Sequence, residues 1–479
     1  MSRHYDLVIV GAGPAGLAAA TAGADLGMSV LLLDEQSTAG GQIYRNVMAS
    51  PFTHAQALGD EYLQGVALIE KLRRSTAVHV PDASVFAITK TADGACEVAV
   101  TIGDEGHRRA ELVLADAVML ATGAQERPFA VPGWTLPGVM TAGAAQLLLK
   151  TSGLVPSGRL ILAGTGPLLW LLASQYLKAG VAIEAMLDTA PKGRYAEAAT
   201  HALGFLTSDY FARGFRLVRE VKARVKVIEN VTALAAGGTD RITSVRYEVN
   251  ETTHEVAADT LLLHQGAVPN LNLSNAIGCA QHWNDLQKCW EPTVDGWGGT
   301  SVPNVFIAGD GASVAGAEVA EASGRLAALA IANALGRIDA KARDQAASEP
   351  RHAVQRALRG RRFFDTLYRP AHYFRIPRGD TIVCRCEQVS AREIVEAVAA
   401  GCIGPNQMKA YTRCGMGPCQ GRLCGLTVTE IIARERKLPP SVIGHYRLRF
   451  PVKPVTLGEL AALPTTAAAQ QVVDRSEPH

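Results

Sequence analysis

The chain has 479 residues, of which 48% are apolar and 19% are charged, and its formal net charge at pH 7 is +2. A chain of this length is expected to divide into two to four domains, and the near balance of charge argues against nucleic acid or an acidic membrane surface as the partner. The first residues, MSRHYDLVIVGAG, do not resemble a signal peptide. We therefore expect a cytoplasmic protein, with peripheral association with the inner membrane as the alternative.

The first predicted element is a dinucleotide-binding unit. Residues 5–36 contain a short apolar strand, a glycine-rich turn, an alanine-rich helix and a second apolar strand. The turn carries the pattern G-x-G-x-x-G at Gly11, Gly13 and Gly16. These glycines permit a tight turn, close approach of a pyrophosphate and close helix–strand packing, and the phosphates then lie at the helix N-terminus. A glycine-rich turn that merely packs is the alternative.

Acidic residues follow the second strand of this unit. A carboxylate at this place can accept hydrogen bonds from the adenosine ribose of a dinucleotide. Asp34 is the first candidate for this role and Glu35 is the reserve.

Three further segments favour FAD over NAD as this dinucleotide. They are AGGQIYR at 39–45, the apolar strand ending in Ala-Thr-Gly within 118–133, and the strand ending in Gly-Asp within 302–312. Together they resemble the two-dinucleotide-domain, disulfide-reductase-like flavoproteins, an α/β class with Rossmann-type domains. The motifs and the resemblance identify these candidate FAD contacts: Gly11, Gly13, Pro14, Ala15, Gly16, Asp34, Glu35, Gly41, Gln42, Ala121, Thr122, Gly123, Gly309 and Asp310. The alternative role for Asp310 is to cap the following helix.

The strand–turn–helix–strand pattern recurs at 158–188, where the resemblance implies an NAD(P)H domain. Gly164 and Gly166 match the glycine pattern, but Leu169 stands where the third glycine belongs, and Asp188 ends the next strand. The missing glycine puts pyridine nucleotide binding in doubt and leaves a structural relic or a regulatory nucleotide site as the alternatives. The uncharged run 160–177 is interrupted by Gly and Pro, so it predicts a buried strand and helix and not a membrane span.

These patterns predict a discontinuous FAD domain that encloses the second nucleotide domain. The expected boundaries are 1–135 and 265–340 for the FAD domain, 136–264 for the degenerate NAD(P)-like domain, 341–378 for a linker, 379–440 for a small cysteine-containing helical domain, and 441–479 for a C-terminal tail.

Six of the nine cysteines lie between 384 and 424. Cys384 and Cys386 form C-x-C, and Cys414 and Cys419 form C-x4-C after 27 intervening residues. A disulfide does not suit a chain without a signal peptide, C-x-C is a poor start for a zinc site, and a catalytic dithiol usually has the C-x-x-C spacing. A [2Fe-2S] cluster, which needs four thiolates from separated loops, is the favoured interpretation.

The cysteine segment resembles the bacterioferritin-associated-ferredoxin-like [2Fe-2S] module. That resemblance implies the cluster ligands Cys384, Cys386, Cys414 and Cys419 and leaves Cys424 as a bystander. The order of the domains, with the anchors GAGPAG, GGQIYR, CRCE, RCGMGPCQGR and VTLGELA, resembles the large subunits of heteromeric amino-acid and opine dehydrogenases. These include octopine and nopaline oxidases, D-hydroxyproline dehydrogenase and hydrogen cyanide synthase, with the sarcosine oxidase α subunit more distant.

The resemblance implies a division of labour between subunits. A partner β subunit that resembles a D-amino-acid oxidase oxidises the substrate C–N bond, FMN lies at the interface, and this chain relays electrons to an acceptor such as a quinone. The sequence contains no acid–base pair or nucleophile constellation that we assign as catalytic. A self-contained NAD(P)H:acceptor oxidoreductase and a non-catalytic subunit that holds NAD or ATP structurally are the alternatives.

Overall fold

The computed structural model describes residues 4–50, 55–103, 106 and 108–464. The chain begins with a Rossmann-type unit and an antiparallel meander. The elements are β1 (His4–Val10), α1 (Pro14–Asp25), β2 (Val30–Leu33), α2 (Ala55–Leu58), α3 (Asp60–Arg74), β3 (Val78–Val80), β4 (Ala83–Lys90), β5 (Cys96–Ile102), β6 (Arg109–Leu120) and β7 (Ala124–Glu126). β1 pairs in parallel with β2 and β6, and most of its side chains are buried because both faces of the sheet are covered.

A second parallel unit follows. Its elements are β8 (Val139–Thr141), α4 (Ala142–Ser152), β9 (Leu160–Thr165), α5 (Pro167–Lys178), β10 (Ala185–Asp188), α6 (Gly193–Ala199), α7 (Ala202–Leu206), α8 (Asp209–Lys222), β11 (Val227–Ile228), β12 (Ala233–Gly238), β13 (Ile242–Val249), β14 (Thr252–Ala257) and β15 (Thr260–Gln265). The sheet order is β11-β10-β9-β15-β8, and β12–β14 form a separate antiparallel sheet. The uncharged run 160–177 is β9 followed by α5, and no described helix is long and apolar enough to cross a membrane.

The chain then returns to the first domain. The elements are β16 (Ala267–Pro269), α9 (Asn272–Ala276), β17 (Gln281–Asn284), β18 (Cys289–Pro292), β19 (Val305–Ile307), a 3-10 turn at Gly309–Gly311, and α10 (Ala317–Ala334). β16 pairs with β7, so this two-stranded ribbon connects the two nucleotide domains. β19 completes the first sheet in the order β3-β2-β1-β6-β5-β4, pairing with β6. α10 packs closely on α1, since a Cβ at Gly324 would lie 2.2 Å from the backbone oxygen of Ala15.

The segment 341–378, which we expected to be a linker, is helical. It contains α11 (Ala340–Ala346), α12 (Ser348–Ala357), α13 (Arg361–Leu367) and α14 (His372–Arg375). Its Arg- and Ala-rich composition conceals aromatic anchors: Phe363 stacks on Phe205 of α7, with ring centroids 4.1 Å apart. Arg343 and Arg351 both lie over the ring of Trp297. These contacts fix the helices against both nucleotide domains.

The cysteine-containing region is a small helical domain with its own core. It comprises β20 (Ile382–Cys384), β21 (Val389–Ser390), α15 (Ala391–Ala399), α16 (Pro405–Thr412), α17 (Gly425–Arg436) and α18 (Pro440–Ile443). The last described helix, α19 (Leu457–Ala461), packs on β6 of the first domain. Ser390 and Glu393 form a capping box at the start of α15. The segment after α18 returns to the first domain, where the Val452 amide donates to the Phe86 carbonyl oxygen at 2.9 Å.

Candidate functional site

The glycine-rich turn after β1 has the geometry of a phosphate cradle. Gly11 has a φ of +106°, and a Cβ there would lie 2.5 Å from the carbonyl oxygen of Ala121. A Cβ at Gly16 would lie 1.9 Å from the Gly11 oxygen, so both positions require glycine. A Cβ at Gly13 would meet nothing closer than the Cα of Gly41, at 3.8 Å. The space beside Gly13 is therefore free of protein atoms, at the N-terminus of α1 where a phosphate binds.

The two acidic residues after β2 have different surroundings. Asp34 is buried, and its carboxylate accepts hydrogen bonds from the amides of Ala12 and Gln36. Burial raises the pKa of Asp34, while those two amides lower it. Glu35 instead pairs with Lys453 of the returning C-terminal segment, at 2.5 Å. Asp34 thus lies against the glycine-rich turn, whereas Glu35 points to the tail.

The AGGQIYR segment packs directly on the cradle. The Gly40 amide donates to the Ala12 oxygen at 2.8 Å, and a Cβ at Gly41 would lie 2.7 Å from the Cα of Gly13. The Gln42 side chain donates to the Ala124 oxygen at 3.0 Å. Lys150, a residue that the sequence did not single out, donates from a buried position to the backbone oxygens of Gln42 and Ile43. Desolvation lowers the pKa of Lys150 to about 7.

The remaining predicted cofactor residues lie at the ends of β6 and β19. The Thr122 hydroxyl donates to the Asn270 oxygen at 3.3 Å. The Asp310 carboxylate accepts from the amides of Ala315 and Gly316, which precede α10, so it orders the turn before the helix and does not cap the helix itself. The carboxyl ends of β1, β2, β6 and β19 meet at one edge of the sheet, so the glycine-rich turn, Asp34, Thr122 and Gly309 follow strands that end at that edge. The cradle and the buried acid fit an FAD.

The second glycine turn is built differently. A Cβ at Gly164 would lie 1.7 Å from the His264 oxygen, and Gly166 lies against the His264 ring. That ring is buried and its Nδ1 lies 2.7 Å from a Glu126 carboxylate oxygen. Leu169, in place of the third glycine, is fully buried in the core. The turn therefore keeps the close backbone contact of the first glycine, has the His264 ring beside the second, and replaces the third with apolar packing.

Buried polar atoms lie near this second turn without partners in the described residues. The Thr165 hydroxyl and the Gln265 side-chain oxygen are both buried and accept or donate no hydrogen bond there. They stand at the carboxyl ends of β9 and β15, the place where open parallel sheets bind ligands. Such atoms are expected to find a partner when a ligand is bound.

Asp188, at the end of β10, gives a pH-dependent prediction. It is buried, its carboxylate accepts from the Ala190 amide, and desolvation raises its pKa to about 6. A raised pKa favours the protonated form in the folded state, so the contribution of Asp188 to stability is full below its unfolded pKa, near 4, and is lost as the pH rises through about 6. Asp188→Asn keeps the acceptor and removes the titration.

The expected result is that wild-type stability falls relative to Asp188→Asn between pH 4 and pH 7, by on the order of 3 kcal/mol at most. Urea unfolding of both proteins at four pH values measures this difference. Parallel profiles for the two proteins would show that Asp188 is ionised in the fold throughout the range.

Three cysteines converge in the small domain. The Sγ atoms of Cys384, Cys414 and Cys424 all lie within 4.8 Å of one another, and all three residues are buried. The thiols of Cys414 and Cys424 donate to Cys384 and lower its pKa, and the amides of Gly415 and Glu387 donate to it as well. Cys424, which the sequence left as a bystander, is therefore one of the three buried thiols, and it occupies the N-cap position of α17.

The other two predicted ligands form a neighbouring pair. Cys386 is exposed, and it shares a thiol hydrogen bond with the half-buried Cys419. Gly417 allows this approach, since a Cβ there would lie 2.2 Å from the Cβ of Cys386. Burial raises the pKa of the Cys386 thiol, and the nearby Cys384 raises it further. Five cysteines therefore occupy one locality, three of them buried together and two at its surface.

Tyr446 packs against the cysteine loop, residues 414–424, and sequence patterns did not reveal it. It is fully buried, and its hydroxyl donates to the Cys414 oxygen at 3.0 Å. A Cβ at Gly415 or Gly421 would lie 2.5 or 2.6 Å from the Tyr446 ring. This ring explains Gly415 and Gly421, and those glycines were the signal that a bulky side chain must lie close by.

The thiol site fits a metal centre. Buried thiolates are the ligands that zinc and iron–sulfur centres take, and backbone amides that donate to a sulfur are the expected outer shell of such a centre. All nine cysteines are free thiols, so no disulfide competes for the group. Both zinc and an iron–sulfur cluster suit the donors as placed.

The nucleotide domains and the small domain match two known families. Residues 5–332 match the pyridine nucleotide-disulphide oxidoreductase family, and residues 378–463 match the sarcosine oxidase A3 domain. Among solved structures, L-proline dehydrogenase from P. horikoshii is similar with a TM-score of 0.71 and 20% identity, covering 96% of this chain and 80% of that one. Thioredoxin reductase from T. acidophilum has a TM-score of 0.51 at 22% identity over 70% of this chain and 99% of its own. These likenesses confirm the two-domain flavoprotein fold.

Curated relatives are similar over the whole length. The opine oxidase A-subunit of Rhizobium meliloti is 46% identical, covering 100% of this chain and 91% of the relative. The opine oxidase A-subunit of Agrobacterium tumefaciens (strain Ach5) is 45% identical, over 100% of this chain and 95% of the relative. Hydrogen cyanide synthase subunit HcnB of Pseudomonas aeruginosa is 31% identical, over 96% and 99%. The chain therefore belongs to the opine oxidase A-subunit family of flavin-dependent oxidoreductases.

Proposed function

We propose that this chain is the electron-transferring subunit of a heteromeric opine or amino-acid oxidoreductase that acts on CH–NH donors. The observation that carries the proposal is the arrangement of a dinucleotide cradle and a five-cysteine site on one chain. The sequence also contains no acid–base pair that we assign as catalytic. This supports the proposal, because substrate oxidation would then take place on a partner subunit.

The proposed cofactors are FAD at the cradle and a [2Fe-2S] cluster at the thiols, with FMN at the interface with the partner. When bound, a flavin takes two electrons at once and an iron–sulfur cluster passes them singly. The residues of this chain bind and orient these groups. Asp34 would hold the ribose, the amides at the start of α1 would hold the pyrophosphate, and the backbone amides of Gly415 and Glu387 would stabilise thiolate sulfur.

The cluster is proposed to take four of the five cysteines. Cys384, Cys386, Cys414 and Cys419 are the ligands that the resemblance implies. The distances favour Cys424 as a ligand beside Cys384 and Cys414, which leaves the fourth position to Cys386 or Cys419. Under this assignment one of the two surface cysteines is dispensable.

A partner β subunit, proposed to resemble a D-amino-acid oxidase, would carry the substrate. The described chain offers an exposed apolar surface on α7 and α8, where Leu203 is 80% and Phe215 is 63% exposed. Phe215 has an exposed apolar neighbour in Phe211, with ring centroids 6.4 Å apart, and exposed apolar patches mark protein interaction sites. A cytoplasmic location and a quinone as the final acceptor are part of the proposal.

A structural role for the second nucleotide domain is the second candidate function. The buried, unpartnered Thr165 hydroxyl and Gln265 oxygen favour an NAD or ATP held there. Leu169 argues against the remaining alternative, a self-contained NAD(P)H:acceptor oxidoreductase, because it stands in place of the third glycine of the dinucleotide-binding pattern.

The test is to purify the chain with and without its partner subunit. We expect FAD to be released on denaturation, iron and sulfide to be present at two atoms each per cluster, and an EPR signal to appear on dithionite reduction. We expect opine or imino-acid oxidation only when the partner is present. Zinc in place of iron would contradict the relay, and full oxidation of substrate by this chain alone would contradict the division of labour.

A further inference from the structure

The cysteine loop is bonded to the flavin-side edge of the first domain through two side-chain amides. Gln125 of β7 donates from Nε2 to the Arg422 oxygen at 2.7 Å, although the residues are 297 positions apart. Asn272 of α9 donates from Nδ2 to the Cys419 oxygen at 3.4 Å. Within the described residues, these are the side-chain hydrogen bonds that join the nucleotide domains to residues 414–424.

Each donor is itself linked to a residue of the predicted FAD site. The carbonyl oxygen of Ala124, the residue before Gln125, accepts from the Gln42 side chain. On the second route, the Asn270 amide donates to the Gly123 oxygen at 3.0 Å, and the Asn270 oxygen accepts from Thr122. Two short bonded routes therefore run from the FAD-site residues to the backbone beside Cys419 and Cys424.

Both donor residues, Gln125 and Asn272, are at least half-buried and are held by backbone hydrogen bonds. Asn272 is buried, and its backbone amide donates to the Asn270 side chain at 3.4 Å. Gln125 is half-buried in the β7–β16 ribbon, where it pairs with Val268. When such a carbonyl oxygen loses its donor, the bonded state of the loop loses a net hydrogen bond. Its equilibrium constant against the open state then falls about five-fold. Among the contacts of the described residues, neither side chain touches a sulfur, so neither is a ligand candidate.

We infer that Gln125 and Asn272 are positioning residues that hold the cysteine loop at a fixed place against the flavin edge, and that electron transfer between the two sites depends on them. This inference rests on the proposed function. When bound, FAD would supply two electrons singly to the thiol site with its two protons released to solvent, and a quinone from outside the chain would take up two electrons and two protons. Gln125 and Asn272 would fix the position of the loop to which those electrons pass. Electron transfer falls steeply with distance and prefers bonded routes, so loosening the loop slows it.

The variants are Gln125→Glu, Asn272→Leu and the double substitution, with Gln388→Glu as the matched control. The Gln388 side chain makes the same kind of bond, to the Arg385 oxygen at 2.7 Å, but entirely within the small domain. Gln125→Glu preserves size while replacing the donor with an acceptor that faces a carbonyl oxygen. The full chain in complex with its partner is used throughout.

The first measurement is hydrogen–deuterium exchange of the amides in residues 414–425. We expect about five-fold faster exchange in each single variant and no change in the control. The second is stopped-flow reduction of the cluster after substrate is mixed with the complex. We expect the transfer rate to fall at least ten-fold in the double variant while FAD content, iron content and the rate of substrate-dependent flavin reduction stay at wild-type values.

Unchanged exchange, or an unchanged transfer rate in a double variant that keeps both cofactors, would overturn the inference and leave the proposed function standing. A wild-type protein without iron would instead overturn the proposed function, and the exchange experiment would still decide whether the two amides hold the loop.

Discussion

Replacing Cys424 with serine is expected to abolish the proposed [2Fe-2S] cluster, with iron per chain falling at least ten-fold and the EPR signal of the reduced protein disappearing. The Sγ of Cys424 lies within 4.8 Å of those of Cys384 and Cys414, in a position that solvent does not reach. A serine oxygen is a much poorer ligand for iron than a thiolate. The measurement is iron and sulfide content after anaerobic reconstitution, together with EPR.

Cys402→Ser is the matched control for that experiment. Cys402 is as buried as Cys424 and belongs to the same core, but its thiol donates to the Gly404 oxygen and it is not part of the group of three. We expect Cys402→Ser to lower stability without loss of iron. Full iron content in Cys424→Ser would return Cys424 to a packing role and leave the ligands to Cys384, Cys386, Cys414 and Cys419.

Replacing Gly13 with alanine is expected to weaken FAD binding at least ten-fold while leaving the apo fold intact. A Cβ at this position meets no protein atom within ordinary contact except the Gly41 Cα at 3.8 Å, so the folded chain accommodates it. The methyl group would instead stand where the pyrophosphate approaches the backbone. The measurements are FAD per chain after purification and the thermal midpoint of the apoprotein.

Two other glycines serve as controls for Gly13→Ala. Gly214 lies on α8 with no atom within 4 Å of its Cβ position, so Gly214→Ala is expected to change neither FAD content nor fold. Gly16→Ala is expected to lower stability as well as FAD content, because its Cβ would lie 1.9 Å from the Gly11 oxygen. Normal FAD binding by Gly13→Ala would show that the pyrophosphate lies elsewhere.

Local patterns predicted the elements whose chemistry is local. The glycine spacing after β1 predicted the cradle, since Gly11 and Gly16 are each required by a close backbone neighbour and Gly13 leaves the space that a phosphate would take. The same holds for the capping box that begins α15. The flavoprotein fold and the family membership were therefore accessible from the sequence.

The arrangement of the cysteines was only partly accessible. Spacing identifies which cysteines can reach one point, but it does not tell which way each side chain turns. Cys384 ends β20 facing inward, while Cys386, two residues later and outside the strand, is exposed. Cys424 precedes the first residue of α17, and that helix start buries it. These orientations follow from packing against Tyr446 and α17, which lie outside the motif.

Contacts between distant segments escaped the sequence altogether. The bond from Gln125 to Arg422 joins two ordinary polar residues with no periodic signal. The helices of 341–378 were concealed because their anchors are single aromatic residues that meet α7. The composition of such helices is dominated by their many solvent-facing residues. It does not reveal the few side chains that attach the helices to the rest of the protein.

The position of Tyr446 bears on where the small domain ends along the chain. The Tyr446 ring, which packs against Gly415 and Gly421 of the cysteine loop, follows α18 in the sequence. The same segment continues to Lys453, which pairs with Glu35 of the first domain. A small domain that ended at residue 440 would lack this ring. The cysteine domain therefore depends on a segment beyond α18 that is anchored at its far end to the first domain.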